Sequence, residues 1–293
     1  MNVSGNANVV NLQWSNGSQV SAAGAPKLNI SGNGTASNVT ASGAYSSIVM
    51  SDNARANDVA INGVYSSIAM TDSAFASNVV LSASNTLMTM GTGTSAENIS
   101  LKNYLAKLTV QDGATVDRLL VSGNNIYSQS YAPIVDLYGN ASNVTVGGEG
   151  SYTSYGWGVL NMKDGSEVNN LLVKRNGVVN VTGGTDVNNT VINTATINAL
   201  GILNLSNATL NSATVNDSGT LNVTNGVLNA VTGSGKSIVN INSLASADGA
   251  VIGDSSTLNI KANGTVSNLT INDQARAIVN TSATVDTATI NAS

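Results

Sequence analysis

The chain of 293 residues has no cysteine, no histidine, two prolines, one phenylalanine and only 9% charged residues. Each shortage removes a class of reading. Without cysteine there are neither disulfides nor thiolate sites, and redox chemistry does not mark the compartment. Without histidine, Ser-His-Asp and Cys-His catalysis fall away together with the commonest metal ligands. The 16 acidic and 11 basic side chains are scattered singly. A glycosidase needs paired carboxylates about 5–10 Å apart, and a lyase of the pectate type needs Asp clustered with Lys or Arg. Neither grouping stands out, so no enzyme is expected, and no metal or cofactor. A net charge of −5 without any block of Lys or Arg argues against nucleic acid as a partner. No run approaches the roughly 18 apolar residues of a membrane span. The opening MNVSGNANVV lacks the charged start and apolar stretch of a signal peptide.

What fills the chain instead is a repeat. Short apolar alternations recur every 18–27 residues, locking to a period of 20 between residues 28 and 121. They read Val10-Asn11-Leu12, Leu28-Asn29-Ile30, Ile48-Val49-Met50, Ile68-Ala69-Met70, Met88-Thr89-Met90 and Leu108-Thr109-Val110. The series continues through Val135, Leu160, Val179, Leu203, Leu221, Val239 and Leu258 to a degenerate Val279-Asn280-Thr281. The outer residues of each triplet share one strand face and the middle one points the other way, so the aliphatic pair looks to a core. A second series follows 9 to 11 residues on: Val39, Val59, Val79, Ile99, Leu119, Val144 and Leu171. Two strands per coil with a fixed period are the signature of a parallel β-helix, whose coils bury apolar faces only against their neighbours. The expected fold is all-β: a right-handed parallel β-helix of about 14 coils of 18–27 residues, a single unit over 1–293.

Small polar residues supply the turns. Asn38, Asp58, Asn78, Asn98, Arg118, Asn143, Asn170 and Asn268 precede the second series. Stacked amides there can bond along the repeat and tolerate turn conformations. Asp52, Asp72, Asp112 and Asp164 fall two positions past the first strand and read as turn residues, with calcium as the alternative.

The repeat breaks twice. Val39 to Ile48 and Val59 to Ile68 span nine residues, whereas Leu119 to Val135 and Val144 to Leu160 each span sixteen. Two lateral protrusions, 122–134 and 147–159, are therefore expected on one face of consecutive coils. They hold Tyr127 and Tyr131, then Tyr152, Tyr155 and Trp157, five of the chain's eleven aromatics. Tyr45 and Tyr65 occupy the corresponding shorter loops, with Tyr104 nearby. Amphipathic rings among Ser, Asn and Gly suit polar ligands, protein surfaces and the apolar faces of sugars. Two readings stand: the rings pack on one another to cap the loops, or they form a binding face. Tyr138, directly after a strand, reads as structural, and Trp14 as a cover for the first coil.

Units such as ASNVTASGAYSSIVMSDNARANDVAINGVYSSIAMTD, and the looser SGTLNVTNGVLNAVTGSGKSIVNINS, resemble the passenger region of AIDA-type autotransporter adhesins. The resemblance covers nearly the whole chain. It implies export through the outer membrane, display at the bacterial cell surface, adhesion to host cells, self-association and biofilm formation. The cleavable signal and the translocator barrel of such proteins are missing, so an excised passenger fragment is expected, touching a membrane only through that barrel. The expected partners are a host-cell glycan or surface protein, bound at Tyr45, Tyr65, Tyr127, Tyr131, Tyr152, Tyr155 and Trp157. A second copy could pair through the Asn column Asn180, Asn204, Asn222, Asn240 and Asn259. The alternatives are a purely structural rod, a spacer or phage-fibre segment, and a polysaccharide-processing enzyme. Ice binding would need a flat Thr-X-Thr array, and Val49, Ala69, Thr89, Thr109 is too mixed.

Overall fold

The computed structural model describes residues 1–15, 22–123, 128–148 and 156–291. It is an all-β parallel solenoid of about 13 turns, close to the 14 coils read from the repeat. Two compact units make it up: Met1–Val144 with Tyr152–Gly158, and Thr145–Ser151 with Val159–Ser293. No helix among the described residues is long and apolar enough to cross a membrane.

In the first unit each regular coil carries one four-residue and one seven-residue strand. The short strands include Lys27–Ile30, Ser47–Met50, Ser67–Met70, Leu87–Met90 and Lys107–Val110. Each pairs in parallel with its equivalent one coil away, Leu28 opposite Ile48 and Met88 opposite Leu108. Their outer residues form the core: Ile48, Met50, Ile68, Met70, Met88 and Met90 are all buried. The repeat thus makes like residues stack, and each aliphatic is sealed by the copies above and below it.

The long strands Thr35–Ala41, Arg55–Ile61, Phe75–Leu81, Ser95–Leu101 and Thr115–Val121 carry three buried columns, not two. Ala36, Ala56, Ala76 and Ala96 join Val39 and Ala41 and their equivalents in the core. The step from Ala36 to Val39 is three residues because Asn38 intervenes in a left-handed conformation, with φ 52°. Asp58, Asn78, Asn98 and Arg118 repeat it at 53–56°. Asn and Asp tolerate this region better than other side chains. Their amides also tie coils together: Asn78 Nδ2 donates to Asp58 Oδ1, and Asn98 Nδ2 to Asn78 Oδ1, both at 2.9 Å.

The second unit builds the same corner differently. Its long strands include Glu167–Val173, Val191–Ile197, Thr209–Val215 and Val227–Gly233. The ladder steps from Val168↔Ile192 to Asn170↔Thr194, leaving out Asn169, and no residue of these strands has a positive φ. The alanines of the first unit become Val168, Ile192, Leu210 and Leu228, all buried. Larger side chains fill this column where no left-handed residue interrupts the strand.

Both ends of the repeat are set in a register other than the one read from sequence. Val10-Asn11-Leu12 is not a short strand: Asn8–Val10 pairs with the long strand, Val10 opposite Ser37, and Asn38 Nδ2 donates to Asn11 Oδ1. The first short strand is Asn2–Val3, paired with Asn29 and Ile30. At the other end the triplet is Ala277-Ile278-Val279, aligned with Leu258-Asn259-Ile260, two residues before Val279-Asn280-Thr281. A terminal coil has a neighbour on one side only, so its side-chain pattern is less constrained. Trp14 does close on the first coils: the strand Gln13–Trp14 pairs with Thr40 and Ala41, and Nε1 donates to Ser46 Oγ at 2.9 Å.

Two substitutions test this stacking. A Cβ at Gly63 would stand 2.0 Å from the carbonyl oxygen of Gly43, one coil below. Gly63→Ala should therefore lower stability by at least about 2 kcal/mol in denaturant unfolding. In the second unit Asn207, Asn225, Leu244, Asn263 and Ser282 form a left-handed turn column, with φ from 46° to 66°. Leu244 alone among them is apolar, and it is 68% exposed. Leu244→Asn should relieve its conformational cost, raising stability by about 1 kcal/mol and the melting midpoint by about 2 °C.

Candidate functional site: a tyrosine-bearing turn and asparagine ladders

The turn that leads from each long strand to the next short strand of the first unit is built from two adjacent columns. One holds Tyr45, Tyr65, Asn85 and Leu105, all left-handed, at φ 60°, 58°, 56° and 52°. The other holds Val64, Ser84, Tyr104 and Tyr131. Each left-handed residue donates its backbone N–H to the second column one coil on: Tyr45 to Val64, Tyr65 to Ser84, Asn85 to Tyr104 and Leu105 to Tyr131, at 2.9–3.2 Å. The turn thus repeats rigidly at the coil spacing of about 4.8 Å.

The residue types do not follow from the backbone they occupy. A β-carbon in this region costs roughly 1–2 kcal/mol, and Asn or Gly would relieve it. Asn85 obeys that rule, whereas Tyr45, Tyr65 and Leu105 break it while facing solvent, 37%, 53% and 40% exposed. The two tyrosines stack, ring centroids 5.2 Å apart and planes 13° from parallel. A stack of that kind is worth about 0.5–1.5 kcal/mol, which offsets part of the strain. Tyr104 and Tyr131 meet differently, at 6.0 Å and 55°, so neither ring covers the other. Asn103 Oδ1 accepts from the Tyr104 N–H at 2.8 Å and fixes that ring's backbone. Val64 and Leu87, 41% and 42% exposed, continue the apolar surface.

Of the seven residues expected to bind a ligand, Tyr45, Tyr65, Tyr131 and Trp157 can be placed. Tyr127, Tyr152 and Tyr155 lie outside the described residues. Tyr45 and Tyr65 come together as expected, but the aromatic line is two pairs separated by Asn85. Trp157 is half-buried; its carbonyl accepts from the Gly123 N–H at 2.8 Å, and its Nε1 is shielded with no hydrogen-bond partner among the described residues. Tyr138 is 42% exposed and sits in the turn after a short strand. Sequence reading passed over Asn85 and Leu105, although the offset of 20 from Tyr45 and Tyr65 marks both.

The asparagine column of the second unit is a continuous ladder. Asn180 donates to Asn161, Asn204 to Asn180, Asn222 to Asn204, Asn240 to Asn222 and Asn259 to Asn240, all Nδ2 to Oδ1 at 2.6–3.1 Å. All six side chains are half-buried, and Asn161, the middle residue of the Leu160-Asn161-Met162 triplet, extends the column that sequence reading began at Asn180. Ile278 takes the next position and ends the ladder. A second ladder runs along the long strands: Asn193 to Asn169, Asn211 to Asn193 and Asn229 to Asn211, at 2.8–2.9 Å. In the first ladder Asn180, Asn204, Asn222 and Asn240 each use one N–H and one lone pair within the chain, whereas Asn193 in the second also donates to Glu167 Oε1 at 2.8 Å.

Carboxylates are placed by the same logic. Asp52 Oδ2 accepts from the Gly32 N–H at 2.8 Å, and Asp72 Oδ2 from the Asp52 N–H at 3.2 Å. Asp254 and Asp273 repeat the arrangement on Gly235 and Asp254. These are turn caps between coils.

No protein-family model matches the chain, and no curated protein does. Among solved structures the chain is similar to the TibC-catalyzed hyper-glycosylated TibA55-350 fragment, with TM-score 0.66 and 16% identity over 98% of this chain and 100% of that one. That fragment is a passenger of an AIDA-type autotransporter adhesin, the group that the repeat units resemble. At this identity the likeness is one of fold.

Proposed function

We propose that the chain is an adhesive passenger β-helix displayed on a bacterial surface, which attaches to host cells through the tyrosine-bearing turns of its first unit. One observation carries the reading. Tyr45 and Tyr65 hold backbone conformations that favour Asn or Gly, yet present large exposed rings that no hydrogen bond among the described residues requires. Strain retained at an exposed position points to a contact made outside the chain. The likeness to the TibA fragment supports export and surface display. Binding, not catalysis, fits a site of rings, amides and hydroxyls without paired carboxylates. A rod serving only as a spacer would gain nothing from strained tyrosines.

A second reading, association between copies, is favoured by the half-exposed amide ladder of the second unit. Asn180, Asn204, Asn222 and Asn240 each retain one donor and one acceptor, and each hydrogen bond is worth about 1 kcal/mol net, so several in register would be needed.

The two are separable. Bacteria displaying the chain with Tyr45→Asn and Tyr65→Asn should lose attachment to an epithelial layer while the purified protein melts no lower than before. Attachment at the original level would overturn the adhesive reading. Asn204→Asp, Asn222→Asp and Asn240→Asp together should suppress sedimentation of displaying cells, and undiminished clumping would remove the ladder from that role.

A further inference from the structure

We infer that the left-handed turn column Tyr45, Tyr65, Asn85 and Leu105 is a docking site for a proline-rich peptide segment, laid along the column in the polyproline II conformation. The inference rests on the adhesive reading, whose partner it names.

Column and ligand share a repeat. The four residues occupy the same position of consecutive coils, each donating its backbone N–H to the next coil at 2.9–3.2 Å. Tyr65 and Leu105 are therefore two coils apart, roughly 10 Å at the coil spacing, with Asn85 between them. A polyproline II helix has about three residues per turn and rises about 9 Å in that turn. Residues one turn apart on such a helix thus fall on Tyr65 and on Leu105. Tyr45, stacked on Tyr65, extends the platform by one coil. A β-strand, whose same-face side chains recur at roughly 7 Å, falls out of step with the column.

The apolar members suit proline. Tyr65 and Leu105 are 53% and 40% exposed in a backbone conformation that neither side chain prefers. Val64, 41% exposed, adds an aliphatic surface beside Tyr65. A pyrrolidine ring packs against an aromatic face and against a branched aliphatic alike. A sugar face gains from an aromatic ring alone and would leave the strained Leu105 without a role. The ligand also arrives nearly preformed, so docking it on a rigid column costs little conformational entropy.

Asn85 supplies the polar contact. Proline has no N–H, so a proline-rich ligand presents carbonyl oxygens and needs donors from its partner. Its backbone makes no internal hydrogen bonds, which leaves those carbonyls free. The Asn85 side-chain amide is half-buried and has no hydrogen-bond partner among the described residues, unlike Asn78 and Asn98, which donate one coil away. Its backbone N–H is tied to the Tyr104 carbonyl at 2.9 Å, so the amide is carried on a fixed turn. No charged residue belongs to the column, which matches an uncharged segment.

The test measures binding of fluorescein-labelled decaproline to the purified chain by fluorescence anisotropy. Alongside it run a Gly-Ser peptide of equal length, a triple-helical Pro-Pro-Gly peptide and a β-1,4-linked N-acetylglucosamine oligomer. Saturable binding of decaproline and none of the Gly-Ser peptide is expected. Tyr65→Asn, Leu105→Asn and Asn85→Asp should each weaken it about tenfold or more. The first two remove an apolar contact, the third replaces a donor by a carboxylate, and all three place residues that tolerate the left-handed turn. Tyr138→Ser, in the other turn, should leave binding unchanged, and circular dichroism checks that each variant keeps its strands. No binding of decaproline, equal binding of the Gly-Ser peptide, or binding of the triple helix or the sugar oligomer alone would overturn the site. So would undiminished binding by Leu105→Asn or by Asn85→Asp. If decaproline fails while Tyr45 and Tyr65 still govern cell attachment, the proline-rich partner is wrong and the adhesive reading stands. If attachment ignores those tyrosines, the adhesive reading fails and takes this partner with it.

Discussion

Parallel stacking at one fixed spacing governs everything else in this molecule. Every side chain sits directly over its equivalent one coil below, so a residue is acceptable only if it tolerates a near copy of itself at about 4.8 Å. Aliphatics satisfy this by packing, as Ile48 does against Leu28 and Ile68. Asparagine satisfies it because one amide is both donor and acceptor, and a column of amides bonds head to tail without end. Aspartate is harder to repeat. Where it recurs, at Asp52 and Asp72, the carboxylate turns to a backbone N–H of the coil below. The low charge of the sequence is a consequence: stacked like charges repel, and stacked amides do not.

The same constraint decides what could be read from sequence. The short strands were legible because their core positions alternate with period two and are filled by large aliphatics from Leu28 to Ile260. The third buried column was not. Alanine at 36, 56, 76 and 96 is a weak apolar signal, and the left-handed residue before Val39 breaks the alternation. In the second unit the column turns into Val168, Ile192, Leu210 and Leu228, yet it stayed hidden because its spacing to the next core residue is three. The terminal triplets slipped register for a related reason. With one neighbouring coil in place of two, Val10 and Val279 stand exposed at 56% and 49%, so apolar character there no longer marks a core position.

The candidate site was legible in part. Periodicity alone placed Tyr45 and Tyr65 in equivalent turns, and their stacking follows from the spacing. The left-handed conformation of those turns was not visible, because neither position holds the Asn or Gly that announces it. Only the third member, Asn85, carries the usual residue, and it drew no attention in a chain rich in asparagine. The orientation of Tyr104 on Tyr131 depends on a longer loop, which sequence positions but does not shape.

Strain and exposure recur along this turn column, whereas in the second unit they meet at Leu200 and at Leu244, in two different turns. Left-handed columns at Asp52–Asp72 and Asn207–Asn225 use residues suited to the backbone, and their side chains bind neighbouring coils. The fold accounts for these four residues. Tyr45, Tyr65 and Leu105 oppose the backbone and give only a partial return through one ring stack. In an architecture that accepts a residue only when its copy fits, a locally unfavourable choice made repeatedly in one column is the clearest mark of a demand from outside the coil. The Asn85 amide, without a hydrogen-bond partner among the described residues, lies in that same column.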